Sequence, residues 1–289
     1  MVNIHRTMLQ SASGAGSDSY WIAEIDTAHN NLAQVPDFAY DPSDKSSYLL
    51  SAGDGVGGSY TPFQVTKLDE EGAHQWTAEI QQSNDYYNNL HAGIVVDPDL
   101  NYVHIAHRYP TSGWQGSAVY MFAKSDGSLW EAQYVYENTD NQEFNDLFLD
   151  RNNNPAVAST YGNQSRITSI TSSNGGISSI NYAREISGSV ETSFYTGCGG
   201  NSYDYAVGYG QGANFYNQQA IQLYQTNGSS GDVFEYYNPS LSNLNVAAVA
   251  ASRTSDSGYK VFVVGKAYTG SRYTGVIGKI SPSNLTTRS

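Results

Sequence analysis

The groups most able to make chemical contacts in this chain are aromatic. It has 24 tyrosines and 4 tryptophans in 289 residues, set among Gly, Asn and Ser. Tyr86, Tyr87, Tyr109, Trp114, Tyr203, Tyr209 and Tyr216 fall in or near stretches that read as connections between strands. A rigid ring beside small polar neighbours offers contact area at low entropic cost, which suits a protein interface and a sugar ring alike. These seven residues are the candidate binding set. Tyr120, Tyr134 and Tyr224 sit at strand positions instead and are expected to fill space between sheets.

Other reactive groups have weaker patterns. Asp41, Asp44, Asp97, Asp99, Asp150 and the run Asn152, Asn153, Asn154 make repeated oxygen-rich turns. Calcium takes six to eight oxygen ligands, but Asx turns account for the same letters and no EF-hand spacing occurs. The expectation is no cofactor, with calcium as the lesser alternative. His91 and His104 fall on the two arms of one predicted hairpin, while His104 and His107 are an odd step apart and so face opposite ways on a strand, which disfavours a three-His metal site. Cys198 is the only cysteine and stands between glycines in a predicted turn, a structural position. The Gly-rich run at 54–58 lacks the Lys-Ser/Thr ending of a phosphate loop. Carboxylate groups such as Asp69 with Glu70 and Glu71, or Asp140 with Glu143, would serve glycoside hydrolysis only at fixed separations that sequence does not set. No Gly-x-Ser-x-Gly elbow or His-Glu-x-x-His pair is present, so the chain is expected not to be an enzyme.

The elements that must position these residues are short strands. Residues 62–80, PFQVTKLDEEGAHQWTAEI, alternate with a period of two on either side of a turn at Asp69–Gly72. The shape recurs at 20–34, 118–134, 165–182, 215–236 and 273–288, at intervals of roughly 40 to 57 residues, a repeat in the range of propeller blades. A second unit lies between: an apolar run, an acidic or Gly-rich turn and another apolar run, at 37–53, 91–107, 145–160, 190–208 and 246–265. Two hairpins per repeat make a four-stranded blade.

Lys67-Leu68-Asp69 with Gly72 and Trp76, and less fully Lys124, Asp126-Gly127 and Trp130, resemble the bacterial β-propeller repeat family, whose units run from a strand ending in Lys-Leu-Asp through Gly to Trp. The resemblance implies an all-β chain, a single propeller domain over 1–289. Its blades are expected at 36–82, 87–137, 143–184, 188–237 and 242–289, with an incomplete first blade at 1–35. That makes about six four-stranded blades, with five as the alternative. Long loops are expected at 52–60, 108–116, 197–204 and 208–218.

Charge narrows the partners. Fourteen basic against 27 acidic residues give a net charge of −13 with no Lys/Arg cluster, which argues against nucleic acid. No stretch has the apolar length of a signal peptide or a membrane span. The Tyr/Asn/Gly/Ser-rich, weakly charged composition is similar to that of tailed-bacteriophage virion proteins. That resemblance implies a non-enzymatic tail or capsid-decoration protein in the virion, made in the host cytoplasm and docked on other virion proteins in many copies. A cell-surface glycan is the second expected partner. Two alternatives stand beside this reading, a carbohydrate-binding lectin and a propeller hydrolase or lyase.

Overall fold

The computed structural model describes residues 3–9, 20–26, 32–53, 63–80, 92–111, 114–135, 142–161, 164–173, 176–187, 192–200, 203–210, 220–229, 231–237, 242–251, 261–268, 271–280 and 286–287. All the regular structure among them is antiparallel β. β1 (Asn3–Leu9) pairs with β2 (Tyr20–Asp26) alone. Five meandering sheets follow. The first holds β3 (Leu32–Asp41), β4 (Ser46–Gly53), β5 (Phe63–Leu68) and β6 (His74–Ile80), and the second β7 (Ala92–Val96), β8 (Tyr102–Thr111), β9 (Trp114–Ala123) and β10 (Leu129–Val135). The third holds β11 (Gln142–Leu149), β12 (Pro155–Tyr161), β13 (Gln164–Ser173) and β14 (Gly176–Ser187). The fourth holds β15 (Thr192–Gly199), β16 (Asp204–Gly210), β17 (Ala220–Thr226) and β18 (Gly231–Tyr237), extended by β22 (Thr286–Thr287). The fifth is β19 (Ser242–Ala251), β20 (Val261–Tyr268) and β21 (Tyr273–Ile280).

From the second sheet on, each sheet begins 50 residues after the last, at Ala92, Gln142, Thr192 and Ser242. The first strands stand side by side, β3 against β7, β7 against β11, β11 against β15 and β15 against β19. This is the radial packing of a β-propeller, in which each inner sheet is covered on both faces. The second sheet shows the consequence. Val103, Ile105, Ala118, Tyr120 and Phe122 pack towards the first sheet with Tyr48, Leu50, Val65 and Trp76. Ala106, Val119 and Met121 pack the other way, with Phe144, Leu147, Val157 and Ile170. Polar alternation is therefore lost in β8 and β9, as it must be in a strand buried on both faces.

The first strands meet through one repeated device. A register shift lies just before Asp37 in β3, before Asp146 in β11 and before Thr196 in β15. Such bulges re-aim the residue that follows. The Asp37 carboxylate then accepts the Ile94 amide of β7 at 2.9 Å, and Asp146 accepts the Gly197 amide of β15 at 2.8 Å. Between β7 and β11 the matching residue is Gly93, where a Cβ would sit 2.9 Å from Leu147 Cβ and 3.2 Å from the Leu147 amide nitrogen. There the backbones approach directly, and only glycine fits.

Several sequence expectations are corrected. Residues 20–34 are not one hairpin: β2 pairs with β1, and β3 opens the next sheet. Residues 273–288 are not one either, because β22 adds to β18, where Phe234 faces Thr287, and not to β21. Residues 108–116 are mostly strand, a long β8–β9 hairpin closing at Thr111 and Trp114. Cys198 lies in β15. The described sheets hold two, four, four, four, five and three strands, where an incomplete first blade and five blades of four strands were expected.

Candidate functional site

The two ends of the sheets differ in what their side chains do. At one end lie the turns after each first and third strand, and nearly every carboxylate there is engaged. Asp97 Oδ1 accepts the amides of Asp99 and Leu100 at 2.8 and 2.9 Å. Asp150 Oδ1 accepts those of Asn152 and Asn154 at 2.8 Å each, and Asp41 Oδ1 that of Ser43 at 2.9 Å. Asp44 accepts the Ser46 amide and an ion pair from Lys67 at 2.9 Å. These are the oxygen-rich turns seen in the sequence, and their oxygens serve the backbone.

Cations then tie neighbouring turns together. Lys124 Nζ reaches Asp41 Oδ2 at 2.7 Å and the Asp97 carbonyl at 2.6 Å. Its own carbonyl accepts Trp76 Nε1 at 2.9 Å and Lys67 Nζ at 3.0 Å. Arg151 pairs with the buried Asp204 at 2.6 Å and donates to the Asn227 carbonyl at 2.7 Å. Burial pushes the Asp41 carboxyl upward, but Lys124 and Ser43 outweigh it and hold its pKa below the ordinary value. Burial likewise works against Asp97, and bonding to His104 and to the amides of Asp99 and Leu100 wins, so its pKa is lowered. Asp37 goes the other way: desolvation exceeds its two backbone bonds and raises it.

His104 is fully buried at this end. Its Nε2 lies 3.3 Å from Ser172 Oγ and 3.6 Å from Asp97 Oδ2. A serine–histidine–aspartate relay needs serine and aspartate on opposite ring nitrogens. Here both face the same nitrogen, so the group is a structural contact between sheets. His107, on the other face of β8, is stacked between Phe63 and Tyr120 at 5.0 and 5.2 Å. Among the described residues, no three His, Cys, Asp or Glu side chains gather to hold a metal ion.

The opposite end carries the candidate site. Each first strand begins there, and the second strands of the hairpins turn back there. Tyr109 in β8 pairs with Gly116, and Trp114 opens β9 opposite Thr111. Tyr209 in β16 lies opposite Ser193, near the start of β15. Thus Tyr109, Trp114 and Tyr209 are strand-end residues, and the fold brings all three to one end. Tyr203 is the exception, since it lies in the β15–β16 turn at the other end, where its carbonyl accepts the Gly200 amide at 2.8 Å. Tyr86, Tyr87 and Tyr216 lie outside the described residues. The segments holding them, 81–91 and 211–219, leave from and return to the end that carries Tyr109 and Trp114.

Sequence reasoning named Glu143 only beside Asp140 and missed the group to which it belongs at this end. The first two residues of the inner strands are Gln142 and Glu143 in β11, Thr192 and Ser193 in β15, and Ser242 and Asn243 in β19. The signal was available in the interval of 50 residues, which puts these pairs at equivalent places around one axis.

No family model and no curated protein matches the chain. Solved structures do. A protein from Lactobacillus plantarum is 14% identical over 97% of this chain and 83% of its own, with a TM-score of 0.53. Hydrazine synthase of Kuenenia stuttgartiensis is 11% identical over 83% of this chain and 78% of its own, with a TM-score of 0.51. The β-propeller domain of the trilobed protease from Pyrococcus furiosus is 11% identical over 91% of this chain and 71% of its own, at 0.45. At these identities the likeness concerns fold alone. It also corrects the expectation that the chain is not an enzyme: a match at 0.51 is itself an enzyme, so missing signature motifs do not exclude catalysis on this scaffold.

Proposed function

We propose that this chain binds carbohydrate at the end of the sheets where the inner strands begin. One observation carries the reading: Tyr109, Trp114 and Tyr209 are brought to the same end as the polar pairs that open β11, β15 and β19. Sugars present hydroxyl edges and apolar faces, and aromatic rings with amide and hydroxyl partners match both. The opposite end has its carboxylates and cations engaged in holding turns together.

A glycan array with the intact chain tests this. Binding to a defined glycan, weakened at least 10-fold by Trp114→Ala or Tyr109→Ala with folding retained, supports it. Unchanged binding in both variants overturns it. Assaying the bound glycan for new reducing ends distinguishes a binding propeller from a hydrolase. A virion role rests on composition, and stoichiometric recovery of the chain's peptides from purified virus particles would support that role independently.

The fold reading that accompanies this is a closed ring forming a single domain. The faces at the two ends of the sheet series are open and apolar: Phe38 and Tyr40 on β3 are 69% and 54% exposed, and Tyr273 and Ile277 on β21 are 60% and 81% exposed. The fifth sheet has three described strands. β2 reaches β3 through residues 27–31, a connection like 188–191 and 238–241, which join outer strands to the next inner strand. In the closed ring β2 takes the place of a fourth strand beside β21, a pairing absent from the described sheets, where β2 pairs with β1 alone, and the ring then has five blades in place of six. Closure predicts slow amide exchange along β21, and fast exchange there would sink it.

A further inference from the structure

We infer that the second and third sheets hold an oxyanion site between them, built on Ser117, Thr168 and Arg166. Two buried hydroxyls form its floor. Ser117 and Thr168 are each 1% exposed, and among the described residues neither Ser117 Oγ nor Thr168 Oγ1 has a hydrogen-bond partner. A buried hydroxyl without a partner keeps its cost of desolvation and gains no bond in return. The chain carries that cost twice at one level of one interface.

The packing sets that level. Val119 and Met121 of β9 face the third sheet, and Val157 and Ile170 face back towards the second. Ser117 lies two residues before Val119 on β9, and Thr168 lies two before Ile170 on β13, opposite Val157, so each shares the face of its neighbours. Nearer the turn end, Ser172 Oγ lies 3.9 Å from Met121 Sδ. One step along, Val119 and Ile170 belong to one apolar cluster. The next step sets Thr168 across from Ser117. Facing sheets stand about 10 Å apart, a distance that long side chains span and that a serine and a threonine do not. One step further towards the strand starts, β13 carries the partly buried Arg166, with the buried Ser159 opposite it on β12. By register Arg108 stands opposite Ser117 on β8, and Glu185 opposite Arg166 on β14.

Hydroxyls can rotate to donate, and a guanidinium presents five N–H groups in a planar fork. Together they suit the oxygens of a phosphate, sulfate or carboxylate group. An arginine that keeps a partner within the chain still has N–H groups to offer. The anion arrives either free or as the acidic group of a glycan, and the site holds it whether or not Tyr109 and Trp114 bind sugar.

Calorimetric titration of the full chain with inorganic phosphate, sulfate, galacturonic acid and a sulfated heparin disaccharide tests this. The expected result is one bound anion per chain, with affinity that falls as sodium chloride rises and is at least 10-fold weaker in Ser117→Ala and in Thr168→Val. Binding of phosphate or sulfate alone identifies a site for a free anion; binding of the two sugars alone identifies the acidic group of a glycan. Thr168→Val has a second readout. Removing an unbonded buried hydroxyl should leave the melting temperature without anion unchanged or higher, whereas loss of a hydroxyl that supports the fold lowers it. Binding of none of the four probes, equal affinity in both variants, or a lowered melting temperature of anion-free Thr168→Val overturns the site. Trp114→Ala leaves binding of a free anion unchanged, which keeps this site separable from the carbohydrate reading.

Discussion

Replacing Lys124 with methionine gives the sharpest test of how the sheets are joined. Lys124 is 5% exposed, and its ammonium lies 2.7 Å from a carboxylate oxygen of Asp41, itself 1% exposed. At an effective dielectric of about 20, that separation is worth about 6 kcal/mol of attraction. Most of it offsets the desolvation of the two ions, so the intact pair contributes little net stability. Removing one partner is different, because Asp41 keeps its burial and loses its counter-ion. The expected cost is about 3–5 kcal/mol at neutral pH. Methionine retains the length of the stem, so little of that loss arises from a cavity.

The pH dependence identifies the mechanism. In the native chain the folded pKa of Asp41 is depressed, so its contribution is present above the unfolded value and disappears as pH falls through the lower folded value. In Lys124→Met, burial acts with fewer opposing groups and the folded pKa rises. The variant is then penalised while Asp41 is ionised, and the penalty fades as pH falls and the carboxyl takes up a proton. Urea unfolding, followed by tryptophan fluorescence, should show a deficit that is largest near pH 7 and shrinks towards pH 4. Adding Asp41→Asn should recover much of it. A deficit below about 1 kcal/mol, one that is constant with pH, or no recovery in the double variant would refute the argument.

Three further substitutions probe other joints. Gly127 has a φ of 71°, and a Cβ there would lie 2.5 Å from the Trp76 ring, so Gly127→Ala should lose about 2 kcal/mol or more in denaturant unfolding. Gly197→Ala would place a methyl 2.2 Å from Phe148, and Phe148→Leu in the same chain should restore part of the loss in melting temperature. Arg151→Met strands the buried Asp204 and should cost about 3 kcal/mol, measured as a lowered urea midpoint at unchanged slope.

Much of the local structure was legible because turns announce themselves. Asp69 to Gly72, Asp126-Gly127 and Asn227-Gly228 all mark hairpin turns, with Gly72, Gly127 and Gly228 at positive φ. Strand partnership was less legible. Residues 20–34 have the alternation of a hairpin, yet β2 and β3 belong to different sheets, because a short connection can join strands of one sheet or step to the next. Period two likewise could not tell a connection from a long hairpin at 108–116. The candidate site was half visible. Aromatic residues stand out by type, but the polar pairs at 142–143, 192–193 and 242–243 acquire meaning only when the interval of 50 residues places them around one axis.

The same interval explains why motif resemblance was strong in one repeat and faint elsewhere. What each junction between inner strands requires is a way to satisfy or approach the neighbouring amide, and two chemistries do this. Asp37 and Asp146 supply an acceptor, while Gly93 removes its side chain so that the backbone of Leu147 can come close. Aspartate and glycine share no letter, charge or size, so a pattern built on residue identity loses the repeat where the geometry keeps it. The turn end is under similar pressure: lysine at 124 and arginine at 151 do equivalent work on Asp41 and Asp204 through different chain positions. Stability is thereby concentrated in bonds between backbone and buried carboxylate at mid-strand and at the turns. The strand starts, freed from that work, are where side chains can be chosen for a ligand.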